Sequence, residues 1–311
     1  MPLYAHYDSI EQVEWDKLPD QFVVKTQNGG GGLNVVVCPD KSKLNILEIN
    51  QKLQCKKKKT NYGGREWAYY GSEPGTGIYT DMNAIRRDDD MDNLHSLYVD
   101  QWDWCRVIRR EDRTLEFLQE IVRKIVRAIV ETNEVVKEIY PMLGFEMSDD
   151  VYFVTTQELE DRWPELSPRE REDAIVKERG TVFIEQIGGA LKSGKKHDGR
   201  APDYDDWALN GDIFAWNDVL GCAFEISSMG IRVDAESLHR QLEIEGCLER
   251  EERPFHKGIL DGTLPLTIGG GIGQSRLCML LLEKAHIGEV QCALWPDDMR
   301  AECADHGIVL L

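Results

Sequence analysis

The 311-residue chain has no excess of basic charge: 37 Lys and Arg face 56 Asp and Glu, a formal net charge of −19. A phosphate-coating face needs clustered cations that release counterions, so this balance disfavours a broad nucleic-acid-binding surface. No apolar run approaches the roughly 20 residues that cross a bilayer. Met1-Pro2-Leu3-Tyr4 opens neither a basic nor an apolar leader region. These absences imply a soluble, cytoplasmic protein with no membrane partner. The eight cysteines include no CxxC pair, which argues against a zinc site or disulfide framework and for reduced, partly buried thiols. What remains is ordinary globular material, 41% hydrophobic and 30% charged, enough for one large domain or two smaller ones.

Residues 1–71 read differently from residues 72–311. In the first segment, Val23-Val24 and Val35-Val36-Val37 flank the run Gly29–Gly32, the pattern of two strands joined by a glycine loop that could cradle a phosphate. Lys56–Lys59 follow a possible helix through Ile46, Ile49 and Leu53, where cations suit a solvated helix end. From about residue 72 the patterning is that of an α+β body. Leu115, Leu118, Ile121, Val122, Ile125, Ile129 and Val136 recur at helical spacing within Asp112–Tyr140. Ser167-Pro168-Arg169-Glu170 opens a second helix that Gly180 ends. Strands are expected at Val151–Thr155, Thr181–Ile187, Asp212–Trp216 and Cys222–Ile226, the last two joined closely enough to form an antiparallel hairpin. Thr267-Ile268 should run into a glycine turn, Gly269 to Gly273, and then a helix over Gln274–Ala285.

Four polar clusters could carry chemistry. In the first, Arg86 to Asp90 precede His95–Trp104, where strand parity projects Gln101 and Asp103 together. An amide beside a carboxylate can grip a substrate ammonium group; on spacing alone, an edge strand with one solvated face is the favoured reading. The second, Arg200 to Trp207, gathers Asp203, Asp205 and Asp206 in a loop able to bind an ammonium group or Mg²⁺, or simply to be solvated. In the third, Asp212 and Glu225 lie near opposite ends of adjacent strands, where they could hold a metal-bound polyphosphate or pair with Arg232. In the fourth, Gly269-Gly270-Gly271-Ile272-Gly273 leads to Arg276, whose guanidinium could stack on a base or pair with a phosphate. Its spacing fits neither the dinucleotide fingerprint nor the Walker loop.

The last two clusters resemble the catalytic fold of class II aminoacyl-tRNA synthetases. A closer resemblance is carried by Tyr79–Arg86, His95–Trp104, Arg200–Trp207, Ser227–Asp234 and Thr267–Arg276. Over about residues 73–300 these look like the ammonia-dependent asparagine synthetases, the aspartate–ammonia ligases. The resemblance implies an antiparallel sheet flanked by helices, a homodimer, and no tRNA. It also implies ATP-dependent amidation of L-aspartate by ammonia through a β-aspartyl-adenylate, with Mg²⁺. On that basis Arg86 and Arg276 neutralise phosphate charge, and Asp212 and Glu225 hold the ion. Ser96 and Gln101, with Gly269, Gly270 and Gly271, line the nucleotide pocket, while Gln101, Asp103, Asp205 and Ser228 orient aspartate and Arg200 helps with its carboxylate. The family's N-terminal helix and strand and its Lys-rich motif are not found. Instead Leu18–Lys25, Gly29–Gly32, Asp40–Leu44 and Tyr62–Trp67 make residues 7–71 similar to a fragment of ATP-grasp-like polysaccharide-biosynthesis proteins. The alternative expectation is a catalytically impaired nucleotide-binding or interaction module from a fused or truncated reading frame.

Overall fold

The structure is a computed structural model. It describes residues 74–85 and 91–311 in full and, before them, only the backbone of four short strands. Internal contacts divide the chain into two units, Met1–Tyr70 and Gly71–Leu311.

In the first unit, β1 (Phe22–Lys25) pairs antiparallel with β2 (Val35–Cys38), as the two valine runs predict. β3 (Lys58–Tyr62) pairs antiparallel with β4 (Arg65–Tyr69). Lys58 and Lys59 therefore lie in a strand and not at a helix end. The helix expected through Ile46, Ile49 and Leu53, the glycine loop Gly29–Gly32, and Lys56 and Lys57 lie outside the described residues.

The second unit is built on a seven-stranded sheet in the order β5-β6-β11-β10-β9-β8-β7. Its strands are β5 (Gly77–Ile85), β6 (Tyr98–Val107), β7 (Tyr152–Thr155), β8 (Thr181–Glu185), β9 (Asp205–Asn217), β10 (Cys222–Arg232) and β11 (Thr267–Gly273). Every neighbouring pair is antiparallel except β7 and β8, which run parallel. The α+β class holds, with a mixed sheet in place of a wholly antiparallel one. The parallel pair needs a crossover, which α2 (Thr156–Arg162) and α3 (Pro168–Arg179) supply.

Two expected strands run longer than their apolar segments. β9 begins at Asp205, so the end of the acidic cluster is strand and not loop. β11 carries all the glycines from Gly269 to Gly273 in extended backbone, and the helix follows directly as α6 (Gln274–Leu281). The glycine turn is thus a glycine strand. Backbone hydrogen bonds to two neighbours outweigh glycine's poor strand propensity, and both neighbours approach closely where a Cβ is missing.

Alternation gives the sheet two unlike faces. One carries Ile213, Ala215, Phe224, Ile226, Met229, Ile231 and Ile268, which join the buried stripe Leu118, Ile121, Val122, Val126 and Ile129 of α1 (Leu115–Ile139) in the main core. Each of these buried Val, Leu, Ile, Phe and Met side chains contributes about 1.5–3 kcal/mol. Thr114 caps α1 by accepting from the Phe117 amide. Ser167 and Glu170 form the reciprocal capping box of α3, which ends at Gly180 with φ +80°. Among the described residues, helix side chains pack on the other face toward β7 and β8, where Leu159, Ile175 and Val176 meet Val154, Val182, Ile184 and Phe214. Helices α4 (Ala235–Ile244) and α5 (Pro254–Leu260) close a third small core of Val233, Leu238 and Leu242, with Ile259 and Leu260 packed against it.

Candidate active site

Paired residues in neighbouring strands share a face, so the register gives what the sheet presents opposite the main core. Ser228 of β10 stands opposite both Asp212 of β9 and Gly271 of β11. Gly271 in turn faces Asp103 of β6, and Gly273 faces Gln101. Glu225 lies opposite Phe214, two residues along from Asp212 on the same face, because a bulge between Glu225 and Ser227 restores the parity. Asp212 and Glu225 are therefore diagonal neighbours, not residues at opposite ends of their strands.

The glycines give this face a flat floor. A Cβ on Gly271 would sit 2.7 Å from Asp103 Oδ1 and 3.4 Å from Gln101 Nε2, so both side chains lie across it. A Cβ on Gly269 would meet the Trp104 carbonyl and lie 2.7 Å from Arg232 Nη2. On Gly230 it would lie 2.9 Å from the Asp205 carboxyl carbon. Gln101 and Asp103 thus come together as strand parity predicts, and β6 is an inner strand beside the edge strand β5.

At one end of the floor Arg232 pairs with Asp205, donates 3.0 Å to the Tyr204 hydroxyl and stacks 3.9 Å above the Tyr204 ring. Burial pushes the Asp205 carboxyl above its ordinary range. Burial also works against the charge on Arg232, but Asp205 outweighs it and keeps the guanidinium protonated. The backbone around Asp205 is fixed by the buried amide of Gln241, which donates to the carbonyls of Pro202 at 2.9 Å and Asp205 at 3.0 Å and accepts from the Trp207 amide at 2.9 Å. Arg113 locks the adjoining strand end: it donates to the Arg232 carbonyl at 2.6 Å and pairs with Asp206 at 2.8 Å and Asp234 at 3.3 Å.

At the other end Arg276 opens α6. Its Nη1 lies 3.5 Å from Glu225 Oε2 and its Nη2 donates 2.7 Å to His95 Nε2, while Asp92 holds His95 Nδ1 at 2.9 Å. Asp212 is buried, its Oδ2 pairs with Arg200, and its Oδ1 has no partner. Burial, reinforced by the Glu225 charge, pushes the Asp212 carboxyl up to about 7. Two adjacent carboxylates with an orphaned buried oxygen fit Mg²⁺, which takes one or two carboxylates and completes its shell with phosphates and water. Among the described residues no group of three or more His, Cys, Asp or Glu could hold an ion by itself. The rest of the shell would come from phosphate oxygens and water.

The other expected site residues fall as follows. Gly270 points to the core face, where its missing Cβ admits Met229. Ser96 is buried, its hydroxyl occupied by the Tyr98 carbonyl and by the Gln291 amide at 2.7 Å. Arg200 is placed on Asp212 and 3.0 Å from Asp198. Arg86 lies outside the described residues. Arg232, expected as a partner of Asp212 or Glu225, pairs instead with Asp205. Continuing the parity of Ser228 and Gly230 one step further puts it on the floor, and a bulge after Gly230 sets it opposite Asp205. Gln241 and Arg113 carried no motif and were missed.

A sequence profile of the family described as aspartate-ammonia ligase matches residues 35–307. The chain belongs to this family. It is 60% identical over 242 residues to the aspartate–ammonia ligase of Clostridium tetani, covering 78% of this chain and 71% of that protein. The ligase of Ruminiclostridium cellulolyticum is 59% identical over 242 residues, covering 78% and 72%. The profile match begins inside the first unit, Met1–Tyr70. Among solved structures, asparaginyl-tRNA synthetase from Pyrococcus horikoshii, complexed with asparaginyl-adenylate, superimposes with a TM-score of 0.53 at 16% identity, covering 76% of this chain and 60% of that one. The Entamoeba histolytica asparaginyl-tRNA synthetase gives 0.53 at 14% identity over 75% and 57%. This ligase-family chain thus shares the class II synthetase fold. No described helix is long and apolar enough to cross a membrane.

Proposed function

We infer that this chain is an ATP-dependent ligase that converts L-aspartate and ammonia to L-asparagine, AMP and pyrophosphate. One observation carries the reading beyond family membership: a single sheet face bears a carboxylate pair suited to a phosphate-bound ion beside Arg276, and a second set, Arg232, Asp103 and Gln101, suited to an amino acid. A carboxylate resists attack by ammonia until one of its oxygens becomes a good leaving group. Transfer of AMP to the side-chain carboxylate of aspartate supplies that leaving group. An oxygen of the carboxylate attacks the α-phosphorus, the bond to pyrophosphate breaks, and ammonia then attacks the carbonyl carbon and expels AMP.

The residues divide this work. Arg276, held by His95 and Glu225, faces the charge that builds on the α-phosphate, and Arg86 would share it. Asp212 and Glu225 would hold Mg²⁺, which supplies charge neutralisation of the polyphosphate. Arg232, fixed by Asp205, offers a cation to the carboxylate that does not react, while Asp103, Gln101 and Ser228 orient the ammonium end. Glycines at 269 and 271 let the substrates lie against the sheet without a Cβ between them. The active form is proposed to be a homodimer that binds neither nucleic acid nor membrane. Residues 1–71 are proposed to be a separate segment, and comparing the full chain with residues 72–311 in melting and activity tests that division.

Isotope transfer tests the chemistry. Aspartate labelled with ¹⁸O in its carboxylates should deliver one label to AMP, since the attacking oxygen leaves with phosphorus. Label in inorganic phosphate would instead mean an acyl-phosphate route and overturn the reading.

A further inference from the structure

The residue paired with the buried carboxylate of the ion site is a cation of the chain itself. Arg200 Nη2 pairs with Asp212 Oδ2, while Asp212 Oδ1 stays buried without a partner. The other arm of the same guanidinium, Nη1, lies 3.0 Å from Asp198 Oδ2 and 3.1 Å from the Gly199 carbonyl. Asp198, Gly199 and Arg200 lie in the connection before β9, outside every strand and helix. Arg200 thus touches the floor through one nitrogen and its own connection through another. It can let go of the first without losing the second.

Charge decides when it should. Asp212, Glu225 and Arg200 together carry one net negative charge when both carboxylates are ionised. A divalent cation added beside a retained guanidinium would bring that to one net positive charge around the buried Asp212 carboxylate, which is unfavourable. A polyphosphate arriving with the cation supplies the anion that a released guanidinium needs.

We propose that Arg200 is a displaceable counter-ion: it occupies Asp212 in the nucleotide-free protein and transfers to phosphate oxygens when Mg·ATP binds. The proposal rests on the reading that Asp212 and Glu225 hold the ion. It makes ion and nucleotide bind with positive coupling, and it locates the origin of that coupling in one side chain.

The test is direct titration of Mn²⁺ on the full chain, read by loss of the free-ion electron paramagnetic resonance signal, with and without a non-hydrolysable ATP analogue. The wild-type protein should bind Mn²⁺ alone at least about tenfold more weakly than with the analogue. Arg200→Gln should tighten binding of Mn²⁺ alone by about tenfold or more, because a unit charge within a few ångströms is removed, and should shrink the coupling. Arg200→Lys, a point charge that cannot span Asp198 and Asp212 at once, should fall between the two. It also serves if the Gln variant folds poorly. Failure of both variants to tighten Mn²⁺ binding overturns the proposal. Glu225→Gln separates the two readings. If it abolishes Mn²⁺ binding with the analogue while the Arg200 variants change nothing, the counter-ion role alone is wrong. If it leaves Mn²⁺ binding intact, the ion-site reading is wrong, and the counter-ion role falls with it.

Discussion

Gly271→Ala should separate catalysis from folding. The new Cβ would stand 2.7 Å from Asp103 Oδ1 and 3.4 Å from Gln101 Nε2, with no backbone atom among its nearest neighbours. Ordinary contact begins near 3.4 Å, so the Asp103 carboxylate must retreat by about 3.4 − 2.7 = 0.7 Å. Rotation of a side-chain end absorbs that cheaply, and the fold should lose no more than about 1 kcal/mol. Misplacement of a positioning group by about 1 Å can cost roughly 100-fold, so kcat/KM for aspartate should drop about 10- to 100-fold. Gly270→Ala is the control one residue away. Its Cβ would meet Met229 Cβ at 2.5 Å and the Ser228 carbonyl at 2.7 Å, backbone and core atoms that cannot rotate aside. That variant should lose about 1–3 kcal/mol or more. The assays are steady-state AMP release at varied aspartate and urea unfolding of both variants. A folded Gly271→Ala protein with undiminished kcat/KM would refute the floor as described, as would a Gly270→Ala protein of wild-type stability.

Three further outcomes follow from the same geometry. Asp212 has a folded-state pKa near 7 against an ordinary 3.8, so its contribution to stability is full below about pH 4 and is lost as pH rises through about 7. Metal-free melting curves from about pH 5 to 8 should therefore show the wild-type protein losing stability relative to Asp212→Asn, and a constant difference would contradict this. Arg113→Met strips a buried cation from Asp206 and Asp234 and a donor from the Arg232 carbonyl. Denaturation should register a loss of about 3–5 kcal/mol. Ser167→Ala removes the cap of α3 and should cost about 1 kcal/mol in unfolding while leaving kcat unchanged.

Local signals made much of the fold legible. The stripe from Leu118 to Ile129 and the Ser167-to-Gly180 punctuation gave α1 and α3 to within a few residues, because periodicity and capping act over one or two turns. Sequence alone points to a turn where the glycine strand lies, since glycine's permissiveness favours turns unless two neighbouring strands bracket it. The parallel pairing of β7 and β8 depends on a crossover, and no residue in either strand announces that. In the site, parity on β6 placed Gln101 and Asp103 together. Asp212 and Glu225 became neighbours only through a bulge, an irregularity that sequence spacing does not encode. Gln241 and Arg113 act through carbonyls brought from distant segments, so their roles exist only after folding.

This sheet face is proposed to join AMP to aspartate and then pass the acyl group to ammonia. The purified 311-residue chain given aspartate, ammonium and Mg·ATP should form AMP and asparagine in equal amounts, with no ADP. A folded preparation that makes ADP, or that binds ATP without forming AMP, would contradict it.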